Sequence, residues 1–167
     1  MNSDSETERK ATRLRDRLKE ATAVAILGAA EQVFAEQGLS AARMEDIALR
    51  AGVSVGTLYN YFADRGALFS ELLESRGIEL IRRVDEALGA GSASFETELE
   101  SIFRAQFEYF EEHRPFLSIV LAGEHVHDSR TPTAKSRDTM RAMYERVEKV
   151  VAHGLAAGVL STESSAI

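Results

Sequence analysis

A chain of 167 residues with 44 % hydrophobic content is long enough for one large domain or two small ones sharing an interface. Cysteine is absent, which excludes a disulfide framework and a thiolate metal site, and no apolar run reaches the roughly 18 residues of a membrane span, so a soluble, cytoplasmic protein without a membrane partner is expected. The net charge of −7 argues against nucleic acid for the chain as a whole, but the acidity is uneven: nine Lys and Arg face seven Asp and Glu from Arg9 to Arg65, against eleven and seventeen from Gly66 onward.

Only two prolines occur, Pro115 and Pro132, and β-branched runs are missing, so local propensity favours helix almost throughout and the expected class is all-α. Residues 1–18 read as a polar tail or basic arm: the tail runs to about Arg9, and the charged segment KATRLRDRLKE that follows, ending at Glu20, is either a basic arm or the start of a helix. Ile26, Ala29, Ala30, Val33 and Phe34 recur at helical spacing, and Gly38 marks the end of this first helix. Met44, Ile47, Ala48 and Ala51 repeat the pattern over two turns and Gly52 stops it, at a position where a left-handed residue costs little. Ser54 is placed to accept from the backbone N–H of Thr57, capping a third helix with Val55, Leu58 and Phe62 turned inward.

Two short helices joined by a tight glycine-containing turn and stacked on a longer one form a helix-turn-helix, expected here over residues 43–62. With Val55, Leu58 and Phe62 in the core, Gly56, Thr57, Asn60 and the tyrosines at 59 and 61 lie toward the outer face. Hydroxyls donate to phosphate oxygens, a glycine permits close approach, and the second helix presents its first turn to a duplex. The alternative is that Tyr59 and Tyr61 pack on a neighbouring helix.

The run from Thr22 to Leu73 contains AAEQVFAEQGLSAARMEDIALRAGVSVGTLYNYFADRGALFSELL. In its FAEQG helix end, DIA..AGVS turn, GTLYNYF helix and following D-R-x-AL-F it resembles the DNA-binding domain of the TetR family of bacterial transcriptional regulators. The resemblance implies that Ser54, Val55, Gly56, Thr57, Tyr59 and Tyr61 occupy positions that meet bases or phosphates, with Leu58 and Phe62 in the core. Arg65 stands where the family usually has Lys, near the DNA backbone. The family commonly has Thr or Ser at the start of the second helix, whereas this chain reads Ala42-Arg43; Ser40 is the substitute cap expected here and Arg43 the substitute phosphate contact. The DNA-reading domain is thus expected over 19–66.

Residues 67–167 are expected to form a helical effector-binding and dimerisation domain, joined to the first by a long helix with Leu72, Leu73, Leu80, Ile81 and Val84 on one side. GAGSAS at 89–94 reads as a linker, FETELESIFRAQFEYFEEHRPF as a helix broken at Pro115, LSIVLAGE as a short buried helix, and Ser136 to Leu160 as another long one. Phe103, Phe107, Phe110, Phe116, Met140, Met143 and Tyr144 are candidates for an apolar effector pocket, with ordinary bundle core as the competing reading. Metal binding by His125 and His127 is not expected, because residues two apart on a helix point to different sides. No cofactor is expected. No carboxylate pair, Ser/His arrangement or phosphate loop appears at a catalytic spacing, so an enzyme is not expected either.

The resemblance implies a ligand-responsive repressor that binds an inverted-repeat operator in double-stranded DNA as a homodimer and answers to a small apolar or amphipathic effector. The alternative is a small-molecule-binding or interaction bundle whose helix-turn-helix is not used on DNA. The family generally continues beyond a Gly-x-x-x-Gly stretch like Gly154 to Gly158 into two dimer-forming helices, whereas this sequence stops at Ile167: either it is shorter than its relatives or it is a fragment.

Overall fold

The computed structural model describes residues 3–89, 94–122 and 134–161, and seven α-helices, with no strand, are found among them. They are α1 (Ser3–Gln37), α2 (Met44–Ala51), α3 (Val55–Tyr61), α4 (Arg65–Gly89), α5 (Phe95–Glu112), α6 (Arg114–Ala122) and α7 (Ala134–Ala156). The chain divides into two compact units, Met1–Leu72 and Leu73–Ile167, and α4 carries residues of both.

The core of the first unit collects the apolar positions at helical spacing. Ile26, Ala29, Ala30, Val33 and Phe34 of α1 are buried, as are Met44, Ile47 and Ala48 of α2, Leu58 of α3, and Leu68, Phe69 and Leu72 of α4. Phe34 and Phe69 meet edge to face with centroids 5.3 Å apart, the arrangement that aromatic quadrupoles favour. α1 begins at Ser3, so the stretch read as a tail or basic arm is helical from that residue.

In the second unit, Val84, Phe95, Ile102, Ala105 and Val150 form one buried cluster, with Leu80, Leu88, Leu99 and Met143 packed around it. Pro115 does not keep α5 and α6 far apart: α5 ends at Glu112 and α6 starts at Arg114, which puts the proline in a first turn, where a missing N–H leaves no helical bond unmade. Gly154 and Gly158 do separate jobs. At Gly154 a Cβ would lie 2.7 Å from the Phe95 ring, so only hydrogen fits. Gly158, with φ of 71°, closes α7: its N–H donates to the Leu155 carbonyl and that of Val159 to the Gly154 carbonyl, the paired bonds of a Schellman motif.

Candidate nucleic-acid interface

The turn between α2 and α3 is built from backbone bonds that the sequence makes cheap. Gly52 adopts φ 70° and ψ 27°, a left-handed conformation that a side chain would oppose. Its N–H donates to the Leu49 carbonyl at 3.2 Å and the Val53 N–H to the Ala48 carbonyl at 3.0 Å, again a Schellman closure. Ser54 then caps α3: its Oγ accepts from the Thr57 N–H at 3.0 Å, and the Ser54 and Thr57 hydroxyls lie 2.8 Å apart. The first turn of α3 is therefore rigid, and its orientation is anchored by fully buried Leu58 and by Phe62 just beyond the helix.

Opposite that anchor, Ser54, Gly56, Tyr59 and Asn60 are exposed, while Val55 and Thr57 are half-buried. Tyr59 keeps 49 % of its surface in solvent. A Cβ on Gly56 would meet nothing nearer than the Ser54 hydroxyl at 3.9 Å, and its φ is not positive, so neither packing nor backbone conformation requires glycine there. A glycine inside a helix costs about 1 kcal/mol relative to alanine, and the open space it leaves lies on the outward face of α3.

The two tyrosines part company. Residues two apart are rotated by about 200° on a helix and cannot share a face. Tyr61 is half-buried, beside the Phe62 ring at 6.4 Å, and lines two shallow grooves against α1, one of about 380 Å³ with Ala23 and Leu27 and one of about 310 Å³ with Asp16, Lys19 and Glu20.

The start of α2 is capped differently from the expectation. Arg43 itself holds the N-cap position and no side chain accepts from the first turn, so Ser40 is not the cap; it lies too early in the chain, in the turn before the helix. The Arg43 side chain is exposed. Arg65 is engaged inside the unit: its Nη1 donates to the carbonyls of Ser40 at 2.7 Å and Ala42 at 3.1 Å. Asp64, which the sequence reading passed over, caps α4 by accepting from the Ala67 N–H at 2.7 Å. An Asp ahead of an apolar helical run was the available signal.

In the second unit the candidate pocket residues are scattered. Phe116 is buried, Phe110 and Met143 are half-buried, and Phe103, Phe107, Met140 and Tyr144 are exposed, Phe107 at 72 %. The groove of about 470 Å³ in this unit is lined by none of them but by Arg82, Arg83, Arg104, Glu86, Glu108 and their small neighbours. The centre of the aromatic cluster is Tyr109, which the sequence reading did not single out. It is fully buried, its hydroxyl donates to the Arg76 carbonyl at 2.9 Å, and its ring stands against Phe110, His113 and Phe116 with the Arg83 guanidinium 5.1 Å from its centroid. Its place on the buried stripe with Ile102 and Ala105 was the signal.

No group of three or more His, Asp or Glu able to hold a metal ion occurs among the described residues; His125 and His127 lie outside them. No helix among the described residues is long and apolar enough to cross a membrane.

Residues 26–72 match the sequence profile of bacterial regulatory proteins of the tetR family. The chain is 29 % identical over 133 residues to the HTH-type transcriptional regulator YvdT of Bacillus subtilis, an overlap of 78 % of this chain and 66 % of that protein. It is 35 % identical over 88 residues to the HTH-type transcriptional repressor KstR2 of Mycobacterium tuberculosis, covering 53 % and 44 % of the two chains. The match therefore spans less than two thirds of either relative's length. The structure of KstR2, a ketosteroid transcriptional regulator, superposes with a TM-score of 0.67 at 28 % identity, over 80 % of this chain and 67 % of that one. The fold is also that of FadR from Bacillus subtilis in complex with stearoyl-CoA, with a TM-score of 0.72, 23 % identity, and 86 % and 75 % of the two chains covered. Residues 26–72, which hold the helix-turn-helix, are thus those that match the tetR family of bacterial regulatory proteins.

Proposed function

We propose that this chain is a DNA-binding transcriptional regulator, a ligand-responsive repressor that reads an inverted-repeat operator as a homodimer. The observation that carries the reading is the outward face of α3. Ser54 fixes the first turn, Leu58 is its buried anchor, and Gly56, Tyr59 and Asn60 are left exposed beside open space. On a duplex the Ser54 and Thr57 hydroxyls and the first-turn N–H groups are donors for phosphates, and Tyr59 and Asn60 are long enough to reach base edges. Arg43, exposed at the start of α2, supplies a charge-assisted phosphate bond. Arg65 acts by holding the α1–α2 turn in place, and Val55 and Tyr61 by seating α3.

Two recognition helices enter successive major grooves on one face of DNA when they lie about 34–36 Å apart, which is why a dimer and an inverted repeat go together. An effector that binds better to another spacing weakens DNA binding by that difference in affinity. We place the effector in the second unit, where Phe110 and Phe116 stack beside Tyr109 and where Phe103, Phe107, Met140, Met143 and Tyr144 add apolar surface on α5 and α7. The stearoyl-CoA held by FadR supports a ligand with a long apolar part. α4, with residues in both units, is the covalent route for the signal.

The test is selection of random duplex DNA on the purified chain at a stated salt concentration, read by sequencing, with Tyr59→Ala as control. An inverted repeat enriched by the native chain and lost in the control is the expected result. No enrichment from a folded, dimeric sample would sink the reading and favour a bundle whose helix-turn-helix is not used on DNA.

A further inference from the structure

The first turns of α1 serve no packing purpose within the unit. α1 spans 35 residues, yet its first buried side chain is Ile26, and every described residue from Arg9 to Ala21 is exposed. The same stretch is the most basic in the chain, with Arg9, Lys10, Arg13, Arg15, Arg17 and Lys19 against Asp16 and Glu20. Among the described residues none of these six cations forms an ion pair. By contrast, every arginine from Arg50 onward whose side chain is described has a carboxylate or carbonyl partner: Glu36 holds Arg50, two carbonyls hold Arg65, Glu112 holds Arg83 and Asp85 holds Arg146, with Arg76, Arg82, Arg104 and Arg141 paired along their own helices and Arg114 of α6 paired with Glu111 of α5. The unpaired guanidinium groups are concentrated on the unit that carries α3.

We propose that α1 from Arg9 to Lys19 is a second DNA contact of this chain, one that grips phosphates regardless of sequence beside the recognition helix. Helical geometry puts Arg9, Lys10, Arg13 and Arg17 on one stripe, within an arc of about 100° and about 12 Å of helix axis. A duplex carries one negative charge per about 1.7 Å of its axis, so a stripe of that length meets several phosphates. Lys19, at the inner end of the extension, lines a groove with Asp16, Glu20 and Tyr61 of α3, which brings the end of this segment beside the helix that carries the reading face. Helix keeps the four cations in register, whereas a coil would lose side-chain and backbone entropy on binding. Leu14 and Leu18 are exposed on this segment, but two leucines offer little apolar area to an acidic lipid surface, and the neighbouring reading head favours DNA.

The inference rests on the DNA-reading function proposed above, and the experiment separates the two. Binding of the full chain to a labelled random-sequence duplex is measured across a series of KCl concentrations, alongside a variant with Arg9→Gln, Lys10→Gln, Arg13→Gln and Arg17→Gln and a second with Arg9, Arg13 and Arg17 each changed to Lys. Because the segment is exposed, the thermal unfolding of both variants should match the native chain. The expected result is a slope of log affinity against log salt that falls by about 0.9 for each phosphate contact removed in the Gln variant and is retained in the Lys variant. An unchanged slope in a Gln variant of a chain that binds DNA overturns the inference and leaves the recognition-helix reading standing. A native chain that binds neither random nor selected DNA overturns both. Loss of binding to phosphatidylglycerol vesicles in the Gln variant, with DNA binding unaltered, assigns the stripe to lipid and overturns the inference as well.

Discussion

Arg65 at the start of α4 donates from Nη1 to the carbonyl oxygen of Ser40, 25 residues earlier, at 2.7 Å, and the same atom reaches the Ala42 carbonyl at 3.1 Å. The turn between α1 and α2 is thereby tied to the helix that follows the reading head. Hydrogen bonds from a charged donor contribute about 1.5–3 kcal/mol, and removing the donor leaves a half-buried carbonyl unpaired. Arg65→Ala should therefore lower the stability of the chain to chemical denaturation by about 1–3 kcal/mol, with Arg65→Lys recovering part of it. Unchanged stability with weakened DNA binding would show that this guanidinium works on phosphate alone.

The cap on α3 separates stability from recognition. Ser54→Ala removes the acceptor for the Thr57 N–H and should cost about 1 kcal/mol by denaturant unfolding, with a loss of DNA affinity because the first turn frays. Thr57→Ala keeps that N–H and its bond, so it should change stability by less than Ser54→Ala while still weakening binding.

Tyr59 and Tyr61 should respond in opposite ways to truncation. Tyr59→Ala leaves the core untouched and is expected to abolish operator preference with a melting temperature close to native. Tyr61→Ala strips the side of α3 that lies against α1 and should lower the melting temperature. Equal melting temperatures for the two variants would contradict this division.

Gly154 has no room for a methyl group. A Cβ there would lie 2.7 Å and 2.9 Å from Phe95 ring carbons and 2.9 Å from Leu160 Cδ1. Overpacking of this kind costs about 1–3 kcal/mol. Gly154→Ala should destabilise the second unit by that amount, and combining it with Phe95→Leu should cost less than the sum of the two single changes, a coupling read from a double-mutant cycle.

Asp85 of α4 receives Nε and Nη2 of Arg146 of α7 at 2.7 Å and 2.5 Å. This two-pronged bond, aided by the nearby Lys149, holds the Asp85 carboxyl below its ordinary range against the opposing effect of burial. A carboxyl whose folded value is depressed stabilises above its unfolded value, and the contribution disappears as pH falls through the folded one. Stability measured from neutral pH downward should therefore decline in the acid range, and Asp85→Asn should be less stable near neutrality and flatter through that range. Asp85 is half exposed, so the effect should shrink in high salt.

Much of the first unit was legible because its determinants are local. Gly52 in a left-handed turn, Ser54 as a cap within three residues of its donor, and the apolar spacing of Ile26 to Phe34 each act over one or two helical turns. The second unit was less legible. Ile102, Phe103, Phe107 and Phe110 recur at helical spacing, but the spacing alone does not say how wide the buried arc is, and in the structure Ile102 and Tyr109 take the inside while Phe103 and Phe107 face solvent.

The sequence by itself determined the all-helical class, the helix-turn-helix and the anchoring of α3 on Leu58, since periodicity, turn glycine and cap are written within short stretches of chain. Only the tertiary structure decided that Tyr61 lines grooves with α1 residues while Tyr59 faces out, that Arg65 is bound to the Ser40 carbonyl, and that the cations of early α1 form no ion pair among the described residues. Those outcomes depend on groups brought together from positions tens of residues apart, and which side chains meet there is fixed by packing of whole helices, which no local pattern encodes.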